Sequence, residues 1–261
     1  MNRIEEKFRE LKKESKKALV LYLTAGYPNL AATEKLVTET EQAGADIIEL
    51  GVPFSDPVAD GVTIQRTSAA ALASGTNLSK IFQTVSRIRQ KSRVPIILMG
   101  YYNPILSYGL SRFIVDCKRT GVDGLICPDL PPDEAQELLR LTRKNEIGLI
   151  FLLAPTSTSK RIKLVSRSSY PFIYYVSVTG VTGARRSLPE DVRNKVSQIR
   201  RYTKKPICLG FGVSSAAQAK EVLPFVDGVI VGSALLNCIE KAGKDYLAAA
   251  RKFTASLAAV K

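Results

Sequence analysis

A glutamate lies inside one of the most apolar stretches of this 261-residue chain, and two aspartates follow it within eleven residues. Glu49 follows Ile47 and Ile48 in a run typical of a strand that is buried on both faces. A charged side chain in such a place costs roughly several kcal/mol unless it is paired, solvated or used. The following loop carries Asp56 and Asp60 among glycines and prolines, so it can return a second carboxylate to the strand end. Two carboxylates in different environments are suited to general acid–base catalysis.

The chain contains no histidine. This excludes Ser-His-Asp and Cys-His catalysis, histidine-ligated metals and proton transfer by imidazole. Its four cysteines match no zinc or redox spacing, and no histidine is present to activate a thiol. Proton transfer then depends on other side chains, which favours the pair formed by Glu49 and Asp60. The alternative, in which Glu49 belongs to a structural ion pair and the aspartates are turn residues, stays open here because structural networks also hold buried acids.

The formal net charge is +14, and the segment from Arg185 to Lys205 is especially basic. Such a charge could suit nucleic acid, an acidic partner or a phosphorylated substrate. A nucleic-acid site usually adds stacking aromatic residues or a known module, and neither is evident. A solvated basic surface is therefore favoured, with attraction of an anionic substrate as the second interpretation. No apolar run reaches the ~18 residues of a membrane span, and the N-terminus has no apolar signal region, so we expect a cytosolic chain that binds neither nucleic acid nor membrane.

Eight short apolar segments alternate with helical patterns along the chain. The predicted strands lie at residues 18–26, 47–50, 95–103, 121–131, 147–155, 171–180, 205–212 and 226–233. Their number, order and total length predict a TIM (β/α)8 barrel, a single domain over residues 1–261. An extra N-terminal helix at 2–14 and short extra helices in the loops are expected as well. An open doubly wound sheet is the alternative, although it would need an unusually high number of strands.

In a TIM barrel the active site lies at the carboxyl ends of the strands. Beyond Glu49, the candidates at those ends are Tyr22, Tyr101, Asn103, Asp129 and either Tyr174 or Tyr175. Each is weak evidence alone, because a tyrosine near a strand end more often belongs to the core or the rim. Asn103 and Asp129 each stand next to a turn-forming proline segment and can be turn residues.

Glycines also follow the last two predicted strands, each just before a helix. Gly212 follows strand seven, and Gly232 and Ser233 follow strand eight. In these barrels the loops after strands seven and eight, with a helix N-terminus, commonly bind phosphate. Gly183 in the loop after strand six can add a further backbone donor, and Ser214 is a predicted helix cap. The alternative is that these glycines form plain strand-to-helix turns.

The stretch GADIIELGVPFSDPVADGVTIQ at 44–65 closely resembles the signature of the tryptophan synthase alpha subunit family. The segments LMGYYNP, CPDLP, VSVTGVTGARRSLP, GFGVSS and VIVGSAL follow in the family's order, so the resemblance covers nearly the whole chain. It implies a carbon–carbon lyase of tryptophan biosynthesis that cleaves indole-3-glycerol phosphate by a retro-aldol reaction to indole and glyceraldehyde 3-phosphate. It also implies no metal or organic cofactor, and a pyridoxal-phosphate beta subunit as partner in an alpha2beta2 heterotetramer.

The resemblance also implies roles for individual positions. Glu49 is expected to be the main acid and base, Asp60 to stabilise positive charge at the indole nitrogen, and Tyr174 to lie close to both. Substrate-binding roles fall on Tyr22, Tyr101, Thr182, Gly183, Gly212, Gly232 and Ser233. The loops 53–60 and 179–188 are expected to close over the substrate. Tyr22 departs from the family pattern, in which we expect an apolar aromatic residue such as phenylalanine. The strong positive charge and the adjacent bases at 185–186 depart from it as well.

Three other functions are compatible with parts of this pattern. A stand-alone lyase that releases free indole would carry the same residues, and only turnover with and without a partner separates it from a synthase subunit. A catalytically silent chain could activate the beta subunit allosterically, but the presence of both carboxylates argues against it. A different phosphosugar barrel enzyme is disfavoured by the PFSDP and ADG motifs.

Overall fold

A parallel sheet of nine strands forms the centre of the molecule in the computed structural model, which describes residues 2–177, 188–210 and 212–261. Its strands are β1 (Ala18–Thr24), β2 (Ile47–Gly51), β3 (Ile96–Met99), β4 (Gly124–Ile126), β5 (Gly148–Ile150), β6 (Leu152–Leu153), β7 (Ile173–Val176), β8 (Ile207–Gly210) and β9 (Gly228–Val231). All eight strand pairings are parallel.

The sheet curls into a nearly closed barrel. Its strand order is β5-β4-β3-β2-β1-β9-β8-β7-β6, so β5 and β6 stand at its two edges. These two strands are consecutive pieces of the fifth predicted strand, interrupted at Phe151. Because the chain itself joins the two edges, the nine pieces amount to eight barrel strands, and the predicted (β/α)8 barrel is confirmed.

Twelve α-helices surround the barrel within the described residues. They are α1 (Arg3–Lys13), α2 (Leu30–Gln42), α3 (Val62–Ala73), α4 (Leu78–Arg89), α5 (Tyr102–Tyr108), α6 (Leu110–Thr120), α7 (Gln136–Lys144), α8 (Ser159–Ser168), α9 (Leu188–Arg200), α10 (Ala216–Val222), α11 (Ser233–Ala242) and α12 (Tyr246–Ala258). The extra helices predicted at the N-terminus and in the loops are present as α1, α3 and α5. None of the helices seen in the described ranges has the length and apolar character needed to cross a membrane.

The third strand is shorter than its sequence pattern predicted. It ends at Met99, and the predicted strand residues Tyr102 and Asn103 instead open helix α5. Two adjacent tyrosines favour a strand on propensity alone. Pro104 is compatible with the helix, however, because it stands in the first turn, where no intrahelical N–H bond is lost. Asn103 therefore lies on a helix rather than at a strand end.

Alternation along each strand divides the apolar residues between two layers. On β1, Ala18 and Val20 belong to the cluster inside the barrel, whereas Leu19 and Leu21 pack outward with the helices. Helix α1 places Ile4, Phe8 and Leu11 in the inner cluster, and these residues fill it together with Phe172, which directly precedes β7. The interior is thus packed with side chains, as in other barrels of this type.

Three aspartates fix the register of the barrel at the start of the strands. Each accepts the backbone N–H of a neighbouring strand through its Oδ2 atom. The pairs are Asp46 with Leu19 at 2.8 Å, Asp123 with Ile96 at 2.8 Å and Asp227 with Ile207 at 2.7 Å. A one-residue slip would turn every inward side chain outward. A fixed register therefore also fixes which side chains point into the barrel at the carboxyl ends of the strands.

Candidate active site

Glu49 lies in the middle of β2, in register with Tyr22 on β1 and Ile97 on β3. Its side chain is completely buried, and within the described residues neither carboxylate oxygen has a hydrogen-bond partner or a paired cation. Burial, with a smaller contribution from Asp60, raises the pKa of Glu49 from 4.5 to about 8. The carboxyl is therefore mainly protonated at neutral pH, and the structural ion-pair interpretation has no support here.

Asp60 stands at the end of the loop that follows β2. Its N–H donates to the Pro57 carbonyl at 3.0 Å, and its own carbonyl accepts from the Gln65 side chain at 2.8 Å. Burial raises the pKa of Asp60 from 3.8 to about 6, and a hydrogen bond from Tyr101 opposes that rise. Asp60 is therefore mainly ionised at neutral pH, where Glu49 is not. The two carboxyl groups differ in protonation state, as acid–base chemistry requires.

Two buried tyrosines flank the carboxyl groups. Tyr22 packs over Gly51 and Tyr174 packs over Gly210, and a Cβ atom at either glycine would overlap the phenol ring or its hydroxyl. Burial raises the pKa of both tyrosines well above the ordinary value of 10, so both stay neutral. The glycines at the ends of β2 and β8 therefore serve close packing, because each leaves room for a phenol against the strand backbone.

Tyr101 precedes α5 and contacts the loop between β2 and α3. Its hydroxyl accepts the N–H of Ala59 at 2.9 Å, and its ring lies 5.4 Å from the ring of Phe54. The side chain is 5% exposed, and burial raises its pKa to about 12. The structure therefore brings Tyr101 to Asp60, while its predicted contact with an indole ring stays a prediction.

The two predicted phosphate-binding helix ends differ in the structure. Helix α11 begins directly after Gly232, and among the described residues no side chain caps its first turn. Helix α10 is capped by Ser215, whose Oγ accepts the N–H of Gln218 at 3.3 Å, so the predicted cap at Ser214 is wrong. The N–H of Ser214 instead donates to the Gln218 side chain at 2.8 Å. The first turn of α11 thus keeps backbone donors free for an anion.

One cavity joins the acids, the tyrosines and the start of α11. It is lined by Tyr22, Glu49, Asp60, Ile64, Met99, Tyr174, Val213, Ser214, Ile230, Gly232, Ser233 and Ala234. Six of these are predicted site residues: Tyr22, Glu49, Asp60, Tyr174, Gly232 and Ser233. Gly212, at φ +86°, lies beside the cavity without lining it. Thr182, Gly183 and the predicted closing loop 179–188 fall outside the described residues, apart from Leu188 at the start of α9.

Six lining residues had not been singled out as site residues by sequence reasoning. Met99 and Ile230 carried a usable signal, because each stands at an inward position near the end of its strand. Ser214 had been read only as a cap. Ile64, Val213 and Ala234 reach the cavity from loops and helix starts, where the periodicity of the sequence does not predict which way a side chain points. Most of the missed residues are apolar, so they add a wall suited to a flat aromatic group.

The arrangement supports proton transfer on a substrate that has an aromatic part and an anionic part. A neutral carboxyl and an ionised carboxyl face a largely apolar cavity, and a helix N-terminus with free N–H donors opens at its other side. Water exclusion strengthens the electrostatic effect of each of these groups. Among the described lining residues, Asp60 is the one ionised group that could oppose an anionic substrate at the helix end.

Comparison with known proteins agrees with this geometry. The family model for the tryptophan synthase alpha chain matches residues 8–261. A tryptophan synthase alpha chain from Geobacter sp. (strain M21) is 54% identical over 241 residues, which cover 92% of this chain and 90% of the relative. The one from Citrifermentans bemidjiense is 55% identical with the same coverage.

Solved structures show the same relationship. The tryptophan synthase subunit alpha of Legionella pneumophila superposes with a TM-score of 0.93 at 36% identity, covering 100% of this chain and 98% of that one. A chain of tryptophan synthase from M. tuberculosis, in an aminoacrylate-bound form, gives a TM-score of 0.90 at 35% identity and covers 100% of both chains. On the combined evidence of sequence and fold, this chain belongs to the tryptophan synthase alpha chain family.

Proposed function

We propose that this chain cleaves indole-3-glycerol phosphate to indole and glyceraldehyde 3-phosphate, with Glu49 as the acid that starts the reaction. The observation that carries the proposal is the protonated carboxyl of Glu49, which has no hydrogen-bond partner among the described residues, inside a cavity that also holds an ionised Asp60. An isolated buried acid of this kind is costly to the fold, and such groups cluster at functional sites.

The reaction needs a proton on the ring carbon that bears the glycerol chain before the carbon–carbon bond can break. Glu49 donates that proton, and the ring then carries a positive charge that extends to its nitrogen. Asp60, which is ionised, stabilises that charge. The Glu49 carboxylate next takes the proton from the adjacent glycerol hydroxyl, the electrons of the carbon–carbon bond return to the ring, and the hydroxyl carbon becomes the aldehyde. Each proton transfer by a positioned group contributes about 10²–10⁴-fold to the rate.

The start of α11 is the proposed phosphate site. A Cβ at Gly232 would meet the Tyr22 side chain at 3.0 Å, so the glycine lets the start of α11 lie close to Tyr22, and Ser233 lines the cavity beside it. The helix dipole favours negative charge at this end. We assign Gly212, and Thr182 and Gly183 outside the described residues, to the same phosphate pocket on the strength of the family resemblance. Tyr22, Tyr101 and Tyr174 are assigned to the indole side, with Tyr174 close to the acids.

A beta subunit is the proposed partner, in an alpha2beta2 heterotetramer located in the cytoplasm. Membership of the family supports a beta partner, and exposed apolar residues on the loop-bearing face support its place of contact. Val58 is 86% exposed, Val62 is 77% exposed and Leu106 is 52% exposed. Apolar residues this exposed and close to the cavity favour a protein contact. The family match over 8–261 also supports a single barrel domain over 1–261.

The test is to add indole-3-glycerol phosphate to the purified chain, alone and with a tryptophan synthase beta chain, and to measure indole release or its conversion to tryptophan. Cleavage that is accelerated by the beta chain supports a synthase subunit, and rapid cleavage that ignores the beta chain supports a stand-alone lyase. Absence of cleavage under both conditions would refute the proposed function.

A further inference from the structure

The loop that carries Asp60 has few anchors. Within residues 53–60, the N–H of Val58 donates to the Asp56 carbonyl at 3.0 Å, and Asp60 donates to Pro57 at 3.0 Å. These bonds hold the loop only to itself. In the described part of the chain, the hydrogen bonds that tie this loop to a distant element all go to the Tyr101 side chain.

The proton positions on Tyr101 follow from its chemistry. A phenol has one O–H to donate and lone pairs that accept. The N–H of Ala59 donates to the phenol oxygen at 2.9 Å, which leaves the O–H free. The neighbouring hydrogen-bond partner is the carboxylate of Asp60, which can only accept while it is ionised. Tyr101 therefore accepts from one loop residue and donates to the next.

The backbone next to Tyr101 is anchored outside the loop. The following residue, Tyr102, donates its backbone N–H to the two carboxylate oxygens of Asp129 at 3.0 and 3.1 Å and begins α5. The Tyr101 ring is buried and packs against Phe54, which belongs to the loop itself. The Tyr101 hydroxyl is thus held beside the Asp60 carboxylate by a backbone that is anchored outside the loop.

We propose that Tyr101 is a positioning residue that sets Asp60 in place through paired hydrogen bonds to Ala59 and Asp60, in addition to any contact with the substrate. The proposal rests on the proposed function for its catalytic consequence but not for the structural role itself. A hydrogen bond to an ionised carboxylate favours the charged form, so Tyr101 also keeps Asp60 ionised against the effect of burial.

The test compares Tyr101→Phe with Tyr170→Phe. The first keeps the ring and its packing but removes the hydroxyl. The second removes a hydroxyl that donates to the Glu5 carboxylate at 2.6 Å at the other end of the barrel, so it is a matched loss of a tyrosine–carboxylate bond. We expect Tyr101→Phe to lower kcat by roughly 10- to 100-fold, the usual effect of a lost hydrogen bond to a charged group. We expect the acid limb of its kcat/KM profile to move to higher pH.

Hydrogen exchange of the Ala59 amide gives a readout that does not depend on activity. It should be at least about tenfold faster in Tyr101→Phe than in the wild type and unchanged in Tyr170→Phe, because only the first loses the acceptor of that N–H. An unchanged Ala59 exchange rate together with an unmoved acid limb would overturn the proposal. If the wild type fails to cleave indole-3-glycerol phosphate, the proposed function fails, but the Ala59 exchange rate still decides whether Tyr101 holds the loop.

Discussion

Replacing Glu49 by glutamine should stabilise the fold while it abolishes activity, and the stabilisation should depend on pH. The carboxyl of Glu49 has a pKa of about 8 in the folded chain against 4.5 as an ordinary glutamate. Between these values the folded chain binds one more proton at this position than the unfolded chain. Folding is then linked to proton uptake, so Glu49 makes the free energy of unfolding fall as the pH rises from 4.5 to 8.

The size of the effect follows from the two pKa values. Each pH unit between them costs about 1.4 kcal/mol, so the wild type is expected to lose roughly 5 kcal/mol by pH 8 through this one group. Above pH 8 the Glu49 carboxyl is ionised in both the folded and the unfolded chain, so the loss of stability stops growing. Glutamine does not titrate, so the free energy of unfolding of Glu49→Gln should exceed that of the wild type by an amount that grows as the pH rises from 4.5 to 8. A change of this size is a large part of the about 5–15 kcal/mol that stabilises a typical domain.

Urea unfolding measured at several pH values from 5 to 9 tests this, with Glu134→Gln as the control. Glu134 is an exposed glutamate in the loop before α7, so its variant removes the same charge at the surface. The difference between Glu49→Gln and the wild type should widen with pH and level off near pH 8, while the control difference stays small and flat. A Glu49→Gln difference that does not change with pH would refute the reasoning, because it would mean that the Glu49 carboxyl is not held protonated.

Three further predictions concern turnover of indole-3-glycerol phosphate. Asp60→Asn should lower kcat by about 10²–10⁴-fold because the amide cannot offset positive charge on the ring, and an unchanged kcat would assign that role elsewhere. The pH profile of kcat/KM should be bell-shaped. It should rise through about pH 6 as Asp60 ionises and fall through about pH 8 as Glu49 loses its proton. A profile that is flat from pH 5 to 9 would contradict these assignments. Gly212→Leu and Gly232→Leu should each raise KM by at least about tenfold, because leucine is strained at the φ of +86° in Gly212 and a side chain at Gly232 would meet Tyr22 and displace the start of α11. An unaltered KM in both would move the phosphate site.

The sequence was sufficient to predict the barrel and to single out Glu49 and Asp60, which the structure places on one cavity. Eight apolar segments separated by helical patterns identify the fold, because a parallel strand buried on both faces is apolar almost throughout. Glu49 stands out for the same reason, since a carboxylate in such a run must be paired, solvated or used. The inward direction of Glu49, which the fold needs for this function, follows from strand alternation once Ile47 is placed inside the barrel.

Contacts made by loops and helix starts could not be predicted. The extent of the third strand was wrong because two tyrosines favour a strand while Pro104 permits a helix, and only packing decides between them. The cap of α10 was wrong by one residue, at Ser215 instead of Ser214, because adjacent serines have the same local preference. The hydrogen bond from the Ala59 N–H to the Tyr101 hydroxyl joins residues 42 positions apart, and no local pattern encodes it.

The most direct measurement is a ¹³C NMR titration of the Glu49 carboxyl in protein labelled at the glutamate side-chain carboxyl carbon. The resonance is assigned by its disappearance in Glu49→Gln. The account predicts a carboxyl that is protonated at pH 7 and titrates near pH 8. A midpoint close to the ordinary glutamate value of 4.5 would contradict it, because an ionised Glu49 could not protonate the indole ring.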